Sequence, residues 1–165
     1  MFFPYIKFII IFTLYMKIKM QTVRITKEFK FEGAHALLNY DGKCRHIHGH
    51  SYILHVTVKG TPEDNELSPK YGMLIDFSIL KKIVNENILD KFDHALILRE
   101  NAPLSEDIKN IYGNVITVAF QPTCENLVIY FAEQIKKSLP ANVQLYSLKL
   151  YETATSFAEW YAEEN

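Results

Sequence analysis

Two stretches near the start of the chain alternate apolar and polar residues with a period of two. They span residues 22–31 and 48–59, and the turn-forming residues 39–42 lie between them. Successive side chains of a strand point to opposite faces, so each stretch predicts a strand with one buried face. We expect the two to pair as an antiparallel hairpin with a long loop. The buried-face residues are Val23, Ile25, Phe29 and Phe31 in the first and Tyr52, Leu54, Val56 and Val58 in the second.

Two later segments have helical spacing instead. Asp76 is the expected N-cap of a helix with apolar positions at 77, 80, 83, 84 and 88. Thr123 is the expected N-cap of a second helix with an inner face at 127, 130, 131 and 135, which Pro140 ends. The segment between them, about 90–121, is predicted to be loop with a short apolar stretch at 115–120.

Strand patterns return at residues 144–152 and 155–161. The order strand-strand, helix, helix, strand-strand is typical of the α+β class. The sequence therefore predicts an antiparallel four-stranded sheet with two helices on one face.

Composition narrows the function classes. The chain has 165 residues, of which 48% are hydrophobic and 22% charged, which excludes disorder and fits one domain over residues 20–165. A formal net charge of −1 gives no support for a nucleic-acid or membrane partner held by charge. Cys44 and Cys124 allow at most one disulfide, which fits the reducing cytoplasm.

Residues 1–19 stand apart from this pattern. An apolar run at 8–16 lies between Lys7 and Lys17, and it is well short of the roughly 20 residues that a spanning helix needs. Lysines follow it, where a signal peptide would have small residues. We interpret residues 1–19 as an extension produced by an early start codon, with Met16 or Met20 as the alternative start.

The densest chemical signal is a group of histidines between residues 35 and 50. His48 and His50 are two apart in a predicted strand and so share one face, and His35 lies near the end of the paired strand. Three imidazoles that leave a fourth position open are typical of catalytic zinc sites, although copper, nickel or iron also accept nitrogen ligands. A closed structural site with Cys44 as fourth ligand is the alternative, and His46 is a competing ligand of lower rank.

Two further features are weaker taken alone. Asp93-His94 places a carboxylate next to an imidazole, which can orient it and make it more basic, or the pair is a solvated turn. Glu152 continues the apolar stripe of residues 146, 148 and 150. A carboxylate there needs hydrogen-bond donors, such as the two parallel N–H groups of an amino-pyrimidinone ring, or else the strand simply leaves the sheet at that point.

Together these motifs resemble the 6-pyruvoyl-tetrahydropterin synthase and 6-carboxytetrahydropterin synthase family. The resemblance spans about residues 22–160. The matching pieces are Phe31-x-x-Ala34-His35, Cys44-x-x-x-His48-Gly49-His50, Gly72-Met73-Leu74-Ile75-Asp76-Phe77, Asp93-His94, Pro122-Thr123-Cys124-Glu125-Asn126 and Tyr151-Glu152-Thr153.

The resemblance implies a role for each motif. His35, His48 and His50 would bind zinc, while Cys44, Asp93 and His94 would transfer protons. Glu152 would anchor the pterin ring, helped by the Thr123 region of a neighbouring subunit. The implied fold is the tunnelling fold, whose subunits join their sheets into a barrel. A cytoplasmic homohexamer with active sites at subunit interfaces is implied as well.

The implied substrate is 7,8-dihydroneopterin triphosphate, and one family branch converts it to 6-carboxytetrahydropterin for queuosine biosynthesis. The short spacing from Cys44 to His48, together with Asp76-Phe77, favours that branch over the pyruvoyl-forming one. Ala36 departs from the basic residue that many relatives have there, which leaves Lys43 and Arg45 as candidate phosphate contacts. The remaining alternatives are a zinc-stabilised binding module without catalysis and a metal-dependent hydrolase that would survive loss of Cys44.

Overall fold

A computed structural model describes residues 21–103 and 105–165. The predicted extension at residues 1–19 lies outside these described residues. Among the helices of the described ranges, none has both the length and the apolar character required to cross a membrane.

A long antiparallel hairpin forms the centre of the sheet, as the alternating pattern predicts. Strand β1 (Val23–His35) pairs with β2 (His48–Gly60) over the whole length of both, from Val23 opposite Gly60 to His35 opposite His48. Both strands continue beyond the regions of clear alternation, because the histidines and glycines at their ends carry no hydrophobic periodicity. The hairpin thus carries His35 and His48 to one end of the sheet.

The predicted four-stranded antiparallel sheet is wrong, because the described residues form a mixed sheet of six strands. The added strands are β3 (Ala95–Arg99), parallel to β1, and β4 (Val115–Val118), parallel to β3. Both fall in the segment predicted to be loop. They are only five and four residues long, and β3 is an unbroken apolar run, which periodicity cannot distinguish from a buried helical segment.

The other two strands confirm the prediction closely. Strand β5 (Gln144–Tyr151) pairs antiparallel with β2, and β6 (Phe157–Tyr161) pairs antiparallel with β5. The order across the sheet is therefore β4-β3-β1-β2-β5-β6. The class is α+β, as expected.

Three helices of at least two turns accompany the sheet within the described ranges, instead of the predicted two. Helix α1 (Phe77–Val84) begins at Asp76, whose Oδ1 accepts a hydrogen bond of 2.7 Å from the Ser78 N–H. It runs on through a π-helical turn (Asn85–Leu89) and a last helical turn (Asp90–Phe92). Helix α2 (Ser105–Tyr112) is the crossover that the parallel pair β3 and β4 requires.

Helix α3 (Cys124–Ser138) begins at Thr123, whose Oγ1 accepts from the Asn126 N–H at 3.4 Å. It ends shortly before Pro140, as predicted. Both predicted caps are therefore present.

Helices α1 and α3 pack on one face of the sheet and form the core with it. Fully buried side chains meet there from both layers, among them Leu54, Leu80, Leu127, Phe131 and Leu148. Burying a side chain of this size contributes about 1.5–3 kcal/mol. On β1 and β2 this core stripe continues directly into His35, His50 and His48, so the packed core fixes the backbone that carries the histidines.

Candidate metal site and its surroundings

Three imidazoles converge at the end of the hairpin, on the face that the helices cover. His35 lies opposite His48, and His50 lies opposite Gly33 on the same face. The Nε2 atoms of His35 and His48 are 3.1 Å apart. One ligand atom from each of the three histidines lies within 4.8 Å of the others, and His35 is 2% exposed. The structure therefore brings together the three histidines that the sequence predicts.

Hydrogen bonds orient two of these rings. The His35 Nδ1–H donates to the Pro122 carbonyl oxygen at 2.6 Å, and the His48 Nδ1–H donates to the His46 carbonyl oxygen at 2.8 Å. Because a carbonyl only accepts, Nδ1 carries the proton in each ring and Nε2 presents its lone pair. Such outer hydrogen bonds are typical of metal-binding histidines.

Burial favours the neutral form of two of the three rings. It lowers the pKa of His35 and of His50 from the usual histidine value, because both lose water around the charged form. The buried Nε2 of His50 has no hydrogen-bond partner among the described residues. Neutral imidazoles with free lone pairs are the form that binds metal.

The separation of two of the three ligand atoms is close to that expected around a tetrahedral metal ion. Ligands at 2.0–2.1 Å in tetrahedral geometry lie about 3.3 Å from one another, close to the 3.1 Å between His35 and His48. The group consists of the three imidazoles and does not include Cys44, so the closed site considered from the sequence is not formed within the described residues. His46 is exposed, and its ring accepts from Arg45 Nε at 3.3 Å.

Cys44 lies near this cluster along the chain but on a separate turn. It is the middle residue of a 3₁₀ turn (Lys43–Arg45), and its carbonyl accepts from the Leu37 N–H at 2.9 Å. Its side chain is half-buried. Lys43 and Arg45 flank it and are exposed.

The Glu152 carboxylate faces the histidines from β5. Its Oε1 is 3.6 Å from His35 Nε2 and 3.8 Å from His50 Nε2, and its side chain is 25% exposed. Strand β5 ends one residue earlier, at Tyr151, so the strand leaves the sheet at this point, as one of the two interpretations predicts. The binding of an amino-pyrimidinone ring by Glu152 stays a prediction.

Beneath Glu152 the structure places two residues that the sequence pattern assigns only to the core or to a cap. Tyr52 is fully buried, and its hydroxyl has no hydrogen-bond partner in the described part of the chain. The Cys124 thiol donates to the Leu150 carbonyl at 3.2 Å, and burial raises the pKa of this thiol to about 12. The only sequence signal for Tyr52 is that it shares parity with His48 and His50.

Asp93 and His94 do contact each other, which the sequence alone left open. Asp93 Oδ1 accepts from the His94 Nδ1–H at 2.9 Å and from the Glu32 N–H at 2.9 Å. His94 has a φ of 58°, a region that non-glycine residues rarely adopt. Its backbone N–H donates to the Glu32 carbonyl at 2.6 Å. The pair therefore lies in an exposed turn, as one interpretation predicts, and hydrogen bonds to the edge of β1 hold this turn in place.

This pair lies on the other side of the sheet from the histidine cluster. The His94 ring is 77% exposed and lines a cleft of about 620 Å³. The cleft is bounded by the outward-facing residues of β1 and β2 and by α2; its lining includes Glu32, Ala34, Gly49, Ser51, Leu96 and Tyr112. His50 also lines this cleft, whereas His35 and His48 are not among its lining residues.

Thr123 connects helix α3 to the backbone segment that orients His35. It caps α3, and the preceding residue, Pro122, supplies the carbonyl that holds His35. Its predicted contact with a pterin bound to a neighbouring subunit stays a prediction.

Several known proteins are similar to this chain. The family model described as 6-pyruvoyl tetrahydropterin synthase matches residues 24–163. The 6-carboxy-5,6,7,8-tetrahydropterin synthase of Haemophilus influenzae is 35% identical over 141 residues, covering 83% of this chain and 97% of that protein. The enzyme of the same name from Rickettsia typhi is 33% identical, with 83% and 99% covered. The 6-pyruvoyl tetrahydrobiopterin synthase of Dictyostelium discoideum is 30% identical, with 87% and 98% covered.

Solved structures show the same fold. The 6-pyruvoyl tetrahydropterin synthase of Caenorhabditis elegans superposes with a TM-score of 0.63 at 26% identity, over 87% of this chain and 98% of that one. An uncharacterised protein from Wolinella succinogenes gives a TM-score of 0.69 at 23% identity, over 86% and 99%. With most of its length matched by the family model, and with the three histidines placed together, the chain belongs to the 6-pyruvoyl tetrahydropterin synthase family.

Proposed function

We propose that this protein is a 6-carboxy-5,6,7,8-tetrahydropterin synthase, a zinc-dependent lyase of queuosine biosynthesis. With one molecule of water as co-reactant, it would convert 7,8-dihydroneopterin triphosphate to 6-carboxytetrahydropterin and release acetaldehyde and triphosphate. The observation that carries the proposal is the open group of three imidazoles beside Glu152, in a chain that is 33–35% identical to two proteins of that name.

Each residue would have a distinct part in binding. His35, His48 and His50 would hold zinc, which when bound supplies Lewis acidity to the hydroxylated side chain of the substrate. Glu152 would accept two parallel N–H donors from the amino-pyrimidinone edge of the pterin. Lys43 and Arg45, exposed on the turn that carries Cys44, are the proposed partners of the triphosphate.

Proton transfer would divide between Cys44 and His94. Cys44, as thiolate, would remove a carbinol proton of the substrate side chain. Asp93 holds the Nδ1–H of His94, so Nε2 is the atom that would receive or return the second proton. Elimination of triphosphate would follow from these proton transfers. Addition of one water molecule to the remaining side chain would then supply the second carboxylate oxygen as the carbon–carbon bond breaks and the two-carbon fragment leaves as acetaldehyde.

The two halves of this machinery lie on opposite faces of one sheet, which supports an active site shared between subunits. Beyond the hairpin contact with β2, β1 is paired with β3 only at residues 33–35 in the described structure. Its remaining edge and the outer edge of β6 are unpaired among the described strands. Three copies that join these edges would close a barrel, and two such rings would form the proposed homohexamer.

The test is product analysis by mass spectrometry after the zinc-loaded protein is incubated with 7,8-dihydroneopterin triphosphate. We expect 6-carboxytetrahydropterin and acetaldehyde, and we expect both to be lost in Cys44→Ala. His55→Gln is the matched control, since His55 lies on the same strand as His48 and His50 but on the opposite face, beside Glu28. Turnover that survives in Cys44→Ala would instead favour a metal-dependent hydrolase.

The second candidate is the pyruvoyl-forming reaction, which the Dictyostelium discoideum match favours. This reaction would use the same residues in the same roles, and only the product formed from the substrate side chain would differ. If no dihydropterin turns over at all, the enzyme proposal fails and a non-catalytic zinc-stabilised module is the better explanation.

A further inference from the structure

Two hydrogen bonds connect the backbone of Glu32 to the Asp93–His94 pair. Its backbone N–H donates to Asp93 Oδ1, and its carbonyl accepts from the His94 N–H. Glu32 therefore lies directly beside His94. A substrate that contacts His94 would also lie close to Glu32.

The side chain of Glu32 is also held in place. Ser51, directly opposite on β2, donates its Oγ–H to Glu32 Oε2 at 2.7 Å. A carboxylate accepts hydrogen bonds at both oxygens, so Oε1 stays available. The contact fixes the carboxylate on the outward face of the hairpin, where the cleft begins.

The residues that surround this carboxylate in the cleft are mostly uncharged. Glu32 is the one acidic side chain among the lining residues, which otherwise are small, apolar or uncharged, apart from His50 and His94. Gly33, Ala34, Gly49 and Leu96 form much of the floor. Because Glu32 is exposed at this cleft, its carboxylate is accessible to an occupant that brings hydrogen-bond donors to it.

We propose that Glu32 is a substrate-binding residue of the His94 site, where its carboxylate accepts hydrogen bonds from the side-chain hydroxyl groups of a substrate held by the histidine cluster of a neighbouring subunit. This inference rests on the proposed function, because a reduced pterin with a polyhydroxylated side chain is the occupant it requires. The same negative charge repels phosphate. The triphosphate would therefore extend away from Glu32, which leaves the exposed Lys43 and Arg45 as its partners.

The test compares two ligands that differ only where Glu32 would act. Binding to the zinc-loaded protein is measured by calorimetry for 7,8-dihydroneopterin, with three side-chain hydroxyls, and for a 6-methyl-7,8-dihydropterin, with none. In Glu32→Gln we expect the affinity for the first to fall about tenfold, the range of one hydrogen bond to a charged group, and the affinity for the second to stay unchanged. Glu32→Asp should recover part of the loss.

Glu28→Gln is the matched control, since Glu28 lies on the same face of β1 and its carboxylate contacts Lys30 and His55 instead of the cleft. Ser51→Ala should shift affinity in the same direction as Glu32→Gln but less. Equal affinities of Glu32→Gln and wild type for dihydroneopterin would overturn the inference, and so would an equal loss for both ligands. If the wild type binds neither pterin, both the proposed function and this inference fail. If the wild type binds dihydroneopterin and Glu32→Gln binds it equally well, only the inference about Glu32 fails.

Discussion

The position of His94 makes a quantitative prediction about mixed oligomers. His48 lies on the helix-covered face of the sheet, and His94 lies on the outward face with 77% of its ring exposed. If each active site takes the three imidazoles from one subunit and His94 from a neighbour, then two inactive variants restore activity when they assemble together. His48→Gln and His94→Ala are suitable because each removes one half of the site.

The expected activity follows from random assembly. In a 1:1 mixture, half of the histidine clusters are intact, and half of those meet an intact neighbouring His94. About a quarter of the wild-type activity per subunit should therefore return. A site contained in one chain would give none, because every chain lacks one component.

The assay is release of acetaldehyde after the two variants are unfolded, mixed and refolded with zinc. The control is a 1:1 mixture of wild type with the double variant His48→Gln/His94→Ala. It should also give about a quarter if sites are shared, and about half if each site lies in one chain. Near-zero activity in the first mixture with half in the second would refute the shared site.

Three further predictions concern buried groups. Iodoacetamide at pH 8 should label half-buried Cys44 and spare Cys124 in the native protein, because burial raises the pKa of the Cys124 thiol to about 12. The labelling of each cysteine is measured by mass spectrometry, and equal labelling of the two would contradict this prediction. Tyr52→Phe should raise the melting temperature of the metal-free protein by about 2–4 °C, because it removes a buried hydroxyl without a partner, and the partly buried Tyr130→Phe is the control. A lower melting temperature would show that the hydroxyl is satisfied. In metal-free protein, burial lowers the pKa of His35, so the native state binds fewer protons than the unfolded state, whose histidines titrate near about 6.5. The contribution of His35 to the free energy of unfolding in urea should be fully present above about pH 6.5 and should decrease as the pH falls below it. His35→Gln should flatten the decrease, and an equally steep decrease in the variant would contradict the assignment.

Local patterns in the sequence determine the hairpin, the two capped helices and the identity of the three histidines. Residues two apart in a strand must share a face, so the stripe of Leu54 and Tyr52 leads directly to His50 and His48. Asp76 and Thr123 act through bonds to backbone only two or three residues away, which is why they are recognisable without tertiary information. The family resemblance rests on the same motifs, and the family match confirms it.

The tertiary structure alone decides the features that join distant segments. Strands β3 and β4, joined by α2, extend the sheet beyond β1, where β3 pairs with residues 33–35. A run as short as Ala95–Arg99 has too few residues to show a strand period. The contact of His94 with Asp93 depends on hydrogen bonds to Glu32, 61 residues away along the chain. The proton position in His35 depends on Pro122, 87 residues away. Each of these contacts joins a side chain to a backbone group that every residue has, so the residue type at the backbone end carries no trace of the contact. The periodic burial of apolar side chains, by contrast, is recorded in the sequence itself.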